Sequence, residues 1–95
     1  MPQVSLSGQL ICQNNDELTT VLAQLPRHIE LTRLEPGCIS FEVSQTDNPL
    51  VWQVDELFVD EDSFAAHQLR VAESKWGRAT AGIERHYVIQ GLTTA

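Results

Sequence analysis

Apolar residues recur along this chain at two periods, every second position in four segments and every third or fourth position in two others. Val4, Leu6, Gly8, Leu10 and Cys12 alternate with Ser5, Ser7, Gln9 and Ile11, which predicts a first strand over Val4–Cys12. Asn14, Asn15 and Asp16 offer capping oxygens, and Leu18, Val21, Leu22, Leu25 and Ile29 follow at helical spacing, so a helix is expected from about Asp16 towards Leu34. Pro26 interrupts that pattern. It has no N–H for the carbonyl of residue 22 and clashes with it, which predicts a kink or two shorter helices. Glu35-Pro36-Gly37 ends the segment, because Pro36 cannot continue a helix and Gly37 tolerates positive φ. A second strand over Cys38–Ser44 places Ile39, Phe41 and Val43 on one side. Thr46-Asp47-Asn48-Pro49 reads as a turn into a third strand, Leu50–Val59, rich in β-branched and aromatic residues. Asp60-Glu61-Asp62 supplies an N-cap and acidic first turn for a second helix, expected from about Glu61 to Trp76 with Gly77 as its stop. Ile83, Arg85, Tyr87 and Ile89 alternate in a fourth strand, Ile83–Gln90, and the tail Leu92–Ala95 is expected to fray.

The predicted order βαββαβ is the ferredoxin-like arrangement of the α+β class, a four-stranded antiparallel sheet with two helices on one face. Residues 1–95 are expected to form one domain with its core at about residues 4–90. The third strand is apolar on both sides, with Val51, Leu57 and Val59 opposite Trp52, Val54 and Phe58. One layer of helices covers only one side, so the other is expected to meet a second copy of the chain as a homodimer.

Composition removes several function classes. Formal charge is −7, and the six basic residues are scattered, which argues against nucleic acid or an anionic membrane surface as partner. No apolar run approaches the roughly 18 residues of a membrane span. The amino end lacks a basic n-region before an apolar h-region, so no secretory signal is expected and the cytoplasm is the expected location. Cys12 and Cys38 have no metal or C-x-x-C spacing and read as buried thiols. No metal site is expected, and the lack of a Gly-rich phosphate loop argues against a bound nucleotide or flavin.

Candidate chemistry lies between Leu50 and Arg78. Glu56 sits in the apolar row Trp52, Val54, Glu56, Phe58, where an unpaired carboxylate is costly. His67 shares a helical face with Phe64, Gln68, Val71 and Lys75. A strand and the helix after it usually pack together, so Glu56 and His67 are expected to face one cavity, as base and partner. The competing readings are a hydrogen-bonded core histidine and a structural salt bridge from Glu56 to Arg33 or Arg85. Trp52, Phe58, Phe64 and Trp76 are core residues or walls of an aromatic-accepting pocket. Arg33 either contacts a ligand or pairs with the carbonyls that end the first helix. His28 and His86 have no apolar-face argument and read as surface residues.

The segments Thr32-Arg33-Leu34-Glu35-Pro36-Gly37-Cys38, Glu56-Leu57-Phe58-Val59-Asp60 and Phe64-Ala65-Ala66-His67 resemble the antibiotic biosynthesis monooxygenase family. Trp76-Gly77-Arg78-Ala79-Thr80-Ala81-Gly82 resembles a subgroup labelled as quinol monooxygenases. The resemblance covers about residues 4–89 and implies a dimeric α+β barrel, with His67 beside its pocket. Members include cofactor-free oxygenases of phenols and anthrones, a sugar-phosphate isomerase and haem degraders. The haem degraders carry an asparagine in the first strand, whereas Asn14 and Asn15 follow it here, so haem is not expected. The resulting expectation is oxidation of a quinol- or anthrone-type substrate by O2 without a cofactor, with Glu56 and His67 as catalytic residues. The alternatives are a small-ligand isomerase or binding protein on the same scaffold, and a dimeric interaction module with no chemistry.

Overall fold

The structure, a computed structural model, describes residues 2–93. Its elements are β1 (Val4–Ile11), α1 (Asn15–Arg33), β2 (Cys38–Gln45), β3 (Val51–Phe58), α2 (Glu61–Glu73), α3 (Lys75–Ala79) and β4 (Glu84–Gln90). All strand pairs are antiparallel and the sheet order is β2-β3-β1-β4. The α+β, ferredoxin-like expectation is met, with α3 as an added turn before the last strand. Residues 94–95 of the tail expected to fray lie outside the described residues.

Both long helices begin as the sequence predicts. The Asn14 side chain accepts from the Glu17 N–H at 2.9 Å, and Asp60 accepts from the Ser63 N–H at 2.8 Å. Pro26, however, neither divides nor ends α1, which runs through it as one helix of 19 residues. The proline and Leu22, whose carbonyl it leaves without an intrahelical donor, are both exposed. Water can satisfy that carbonyl while Val21, Leu25, His28 and Thr32 are buried on the opposite side. The second helix also departs from expectation. It ends at Glu73, and Ser74 caps a separate α3, accepting from the Gly77 N–H at 3.0 Å while donating to the Val71 carbonyl at 2.7 Å. Gly77 therefore lies inside α3; a Cβ there would come within 1.9 Å of the Val71 carbonyl oxygen.

The core lies between the sheet and the helices. Val4, Leu6, Leu10, Trp52, Val54, Phe58, Val21, Leu25 and Phe64 are buried there. The register pairs Leu6 with Glu56, Phe41 with Glu56 and Val43 with Val54, so these side chains share the inner face. A bulge between Cys38 and Ser40 sets Cys38, and not Ile39, opposite Phe58. Ile39 is consequently exposed while Phe41 is buried, which corrects the expected row Ile39, Phe41, Val43. On the outer face of β3, Val51 and Leu57 are half-buried, and Val59, just past the end of the strand, is exposed. The middle of that face is polar: Ser7 donates to Asp55 at 2.7 Å, and Gln53 lies beside it. Among the described residues no helix is long and apolar enough to cross a membrane.

Candidate functional site

Glu56 and His67 do face one cavity. Glu56 projects from the inner face of β3 and His67 from the buried side of α2, with Glu56 Oε1 3.6 Å from His67 Nε2. The cavity, about 190 Å³, opens between sheet and helices and is also walled by His28, Phe41, Trp76 and Tyr87. Gly8 stands between Val54 and Tyr87 in the register, and a Cβ there would come within 1.9 Å of the His86 carbonyl oxygen. Glycine thus lets β1 and β4 approach closely beside the cavity.

His67 is held from behind by a residue the sequence reading treated only as a helix stop. Its Nδ1 lies 2.9 Å and 3.2 Å from the two carboxylate oxygens of Glu35, and Arg70 Nε donates to that same carboxylate. Arg70 Nη2 also donates to Thr32 Oγ1 at 2.9 Å. An ionised Glu35 can only accept, so His67 carries its proton on Nδ1 and presents the Nε2 lone pair towards Glu56. Gly37 permits this approach: a Cβ there would meet Ser63 Oγ at 2.1 Å, and the Gly37 carbonyl accepts from the Val59 N–H at 2.9 Å. Glu35, His67 and Arg70 also line a second cavity of about 430 Å³ with Pro36, Asp62 and Ala66, on the Nδ1 side of the ring.

Burial sets the protonation states. It pushes the Glu56 carboxyl up from its ordinary 4.5 to about 7, helped by the negative charge of Glu35. His67 is lowered by burial, against which Glu35 pulls it back up through charge and hydrogen bond. Glu56 Oε1 is buried without a hydrogen-bond partner. The structural salt bridge weighed for Glu56 is not formed. Arg33 donates instead to the Phe41 carbonyl and to Glu42, and Arg85 to the Thr80 carbonyl and hydroxyl and the Ile83 carbonyl.

This gives Glu56 a measurable signature. Below about pH 4.5 the carboxyl is protonated whether the chain is folded or unfolded, and its burial costs little. As pH rises towards 7 the unfolded chain releases the proton first, so stability is lost across that window, by roughly 3 kcal/mol in full. Glu56→Gln, a neutral isostere, should therefore be more stable than the parent at pH 8 and no more stable at pH 4.5. Urea titrations at the two pH values measure it, and equal differences at both would contradict a buried, unpaired carboxyl.

The other expected site residues divide. Trp76 lines the cavity. Phe58 stands behind it, its ring 4.8 Å from that of His67, and Phe64 packs on Phe58 at 5.7 Å. Trp52 is buried in the core and Arg33 lies exposed against β2. These four are not among the residues lining the cavity. His86 is exposed as expected, but His28 is not a surface residue: it is buried, stacked on Trp76 at 4.6 Å with an interplanar angle of 4°. His28, Glu35, Arg70 and Tyr87 are the residues that sequence reading missed. Arg70 did carry a signal, since it follows His67 by one helical turn and a buried face needs a counter-charge for it. Cys12 and Cys38 are free, and burial pushes both thiols up. Among the described residues no group of three or more His, Cys, Asp and Glu side chains is placed to hold a metal ion.

Residues 14–72 match the family described as antibiotic biosynthesis monooxygenase. The chain belongs to the antibiotic biosynthesis monooxygenase family. The matched segment contains His28, Glu35, Phe41, Glu56, His67 and Arg70, whereas Trp76, Arg85 and Tyr87 follow it. No curated protein matches the sequence. Among solved structures the chain is similar to MupZ from Pseudomonas fluorescens, with a TM-score of 0.78, 22% identity, 96% of this chain covered and 70% of that one. It is also similar to a Nitrosomonas europaea protein named after the same family (TM-score 0.74, 20% identity, 96% and 91% covered). A conserved protein of Methanosarcina mazei Go1 is alike at TM-score 0.73, 20% identity, with 98% and 95% covered. At these identities the likeness extends to the fold.

Proposed function

We propose that this member of the family is a cofactor-independent monooxygenase that oxidises a small hydroxyaromatic, of quinol or anthrone type, with O2. The observation that carries the reading is the spacing of Glu56 Oε1 and His67 Nε2 across an aromatic-walled cavity. At 3.6 Å they are too far apart for a hydrogen bond with each other, yet one hydroxyl oxygen can sit within bonding distance of both. His67, with its Nδ1 proton held by Glu35, takes the substrate proton on Nε2. The imidazolium formed lies between two carboxyl groups, which stabilises it.

The substrate anion then supplies the electrons. One electron passes from the anion to O2, and superoxide and the substrate radical combine at a ring or methylene carbon bearing hydrogen. The imidazolium returns its proton to the peroxide, and the resulting hydroperoxide loses water, the carbon's hydrogen leaving as a proton. The substrate thus loses two hydrogens and gains one oxygen, and the second oxygen of O2 leaves as water. The protein supplies orientation, proton transfer and a site from which bulk water is largely excluded. The test is O2 uptake in metal-free buffer with a hydroxynaphthalene. One quinone formed per O2 consumed is the expected result. Exchange of substrate protons with no O2 uptake would replace this reading with an isomerase on the same scaffold.

The reading includes a homodimer formed through the outer sheet face, giving a dimeric α+β barrel. Leu57 and Val51 there are half-buried, Val59 and Val88 exposed, and small side chains such as Ser5 and Ser7 allow close approach. Leu57→Asp or Val59→Asp would place a charge in that interface and should yield monomer or aggregate in sedimentation. A parent chain that sediments as a monomer at micromolar concentration would exclude the dimer.

A further inference from the structure

Two residues that line the cavity each carry a buried side-chain atom with no hydrogen-bond partner among the described residues, and the mechanism above uses one of these atoms. Glu56 Oε1 receives the reacting hydroxyl; the other is Nδ1 of His28, on α1. A further such atom among the described residues, Trp52 Nε1, belongs to a residue that does not line the cavity. A buried polar atom without a partner is costly, and a leucine would fill the His28 position of a plain helix–sheet core. The imidazole is instead set with some care. Its face is stacked on Trp76, it meets Phe41 edge-on at 5.3 Å and 87°, and its centroid is 6.3 Å from that of His67.

We propose that His28 is a second polar anchor for the substrate, contributed from α1 while Glu56 of β3 and His67 of α2 grip the reacting hydroxyl. The site then prefers an aromatic of one or two rings that carries a second oxygen function, hydroxyl or carbonyl. This rests on the hydroxyaromatic reading and narrows it. Size sets the ring count: a cavity of about 150 Å³ takes benzene, and this one, at about 190 Å³, has room for little beyond a substituted ring or a fused pair. The chemistry of the anchor sets the second group. Burial, with the charges of His67, Arg70 and Arg85, pushes His28 down to about 3, so its ring is neutral under ordinary conditions. A neutral imidazole offers one N–H and one lone pair, and so can donate to a carbonyl or accept from a hydroxyl. The remaining basic group in the cavity, Arg85, has its guanidinium committed to Thr80 and Ile83.

The test is anaerobic calorimetry, so that no turnover intrudes, with a dihydroxynaphthalene carrying one hydroxyl on each ring and with the naphthol that lacks the second hydroxyl. The parent protein should bind the diol roughly threefold to tenfold more tightly, the worth of one hydrogen bond. His28→Phe keeps a flat ring on Trp76 and should lose that preference while binding the naphthol as before. His28→Gln keeps a donor and an acceptor and should retain part of the preference, which separates anchoring from packing. Equal affinities in the parent, or an equal loss for both ligands in both variants, would overturn the anchor and leave the hydroxyaromatic site standing. A parent protein that binds neither compound would overturn the site reading as well.

Discussion

Replacing His67 by alanine should lower turnover of an oxidisable hydroxyaromatic by about 10²–10⁴-fold, the usual scale for a lost general base. The residue is almost fully buried, with Nε2 facing the one carboxyl in the cavity and Nδ1 fixed by another. Two other groups lining the cavity do not take its place: His28 is held far more weakly basic, and burial raises the Tyr87 hydroxyl. The fold should tolerate the change, because alanine suits a helix interior and Glu35 keeps Arg70 as its partner. Loss of the ring packed against Phe58 will still cost stability, on the order of 2–4 kcal/mol, so rates must be expressed per folded molecule. Added imidazole can enter the space left behind and should restore part of the rate. A purely structural histidine predicts the reverse pattern, reduced folding with undiminished turnover of what folds, and that result would end the catalytic assignment.

Why the pair was legible while its surroundings were not is a matter of range. Glu56 stood out because β3 alternates, and one charged side chain in a row of Trp52, Val54 and Phe58 breaks the pattern locally. His67 was placed by the same kind of local count along α2. His28 was misjudged through the choice of stripe on α1. The apolar residues Leu22 and Ile29 drew the predicted face towards themselves, but the buried positions are 21, 25, 28 and 32, and Leu22 is 53% exposed. Hydrophobicity alone cannot rank a histidine and a threonine above a leucine; the elements packed beneath α1 do so, with Phe41 of β2 and Trp76 of α3 as ring neighbours for one and the Arg70 guanidinium of α2 as hydrogen-bond donor to the other. The polar middle of β3's outer face corrects the impression of a strand apolar on both sides, since Gln53 and Asp55 separate Val51 from Leu57. Glu35 lies 32 positions before His67, and only the packing of the α1–β2 corner on α2 brings the two together. Spacing along a chain carries no information about that contact.

Glu35→Gln should lower kcat by about 10–10³-fold and move the acid limb of the pH profile to lower pH. The first effect follows from the tautomer. A carboxylate can only accept from His67 Nδ1, whereas an amide can also donate to it, and a donated bond would place the imidazole proton on Nε2, where the substrate proton must go. Losing the corresponding carboxylate in serine proteases costs about 10⁴-fold; Glu35 is 17% exposed, and water can replace part of its role, which argues for a smaller loss. The second effect follows from charge. Glu35 raises the His67 pKa by its field and its hydrogen bond, so removing the charge lets burial depress that pKa further. A base that must be neutral to work then stays neutral to lower pH, and the acid limb shifts downward. The stability cost should be modest, about 1–2 kcal/mol, because the Arg70 guanidinium left behind is 30% exposed and keeps its bond to Thr32. Nitrogen chemical shifts of His67 report the tautomer directly. A variant with fewer folded molecules but an unmoved acid limb and an unchanged tautomer would reduce Glu35 to a structural ion pair.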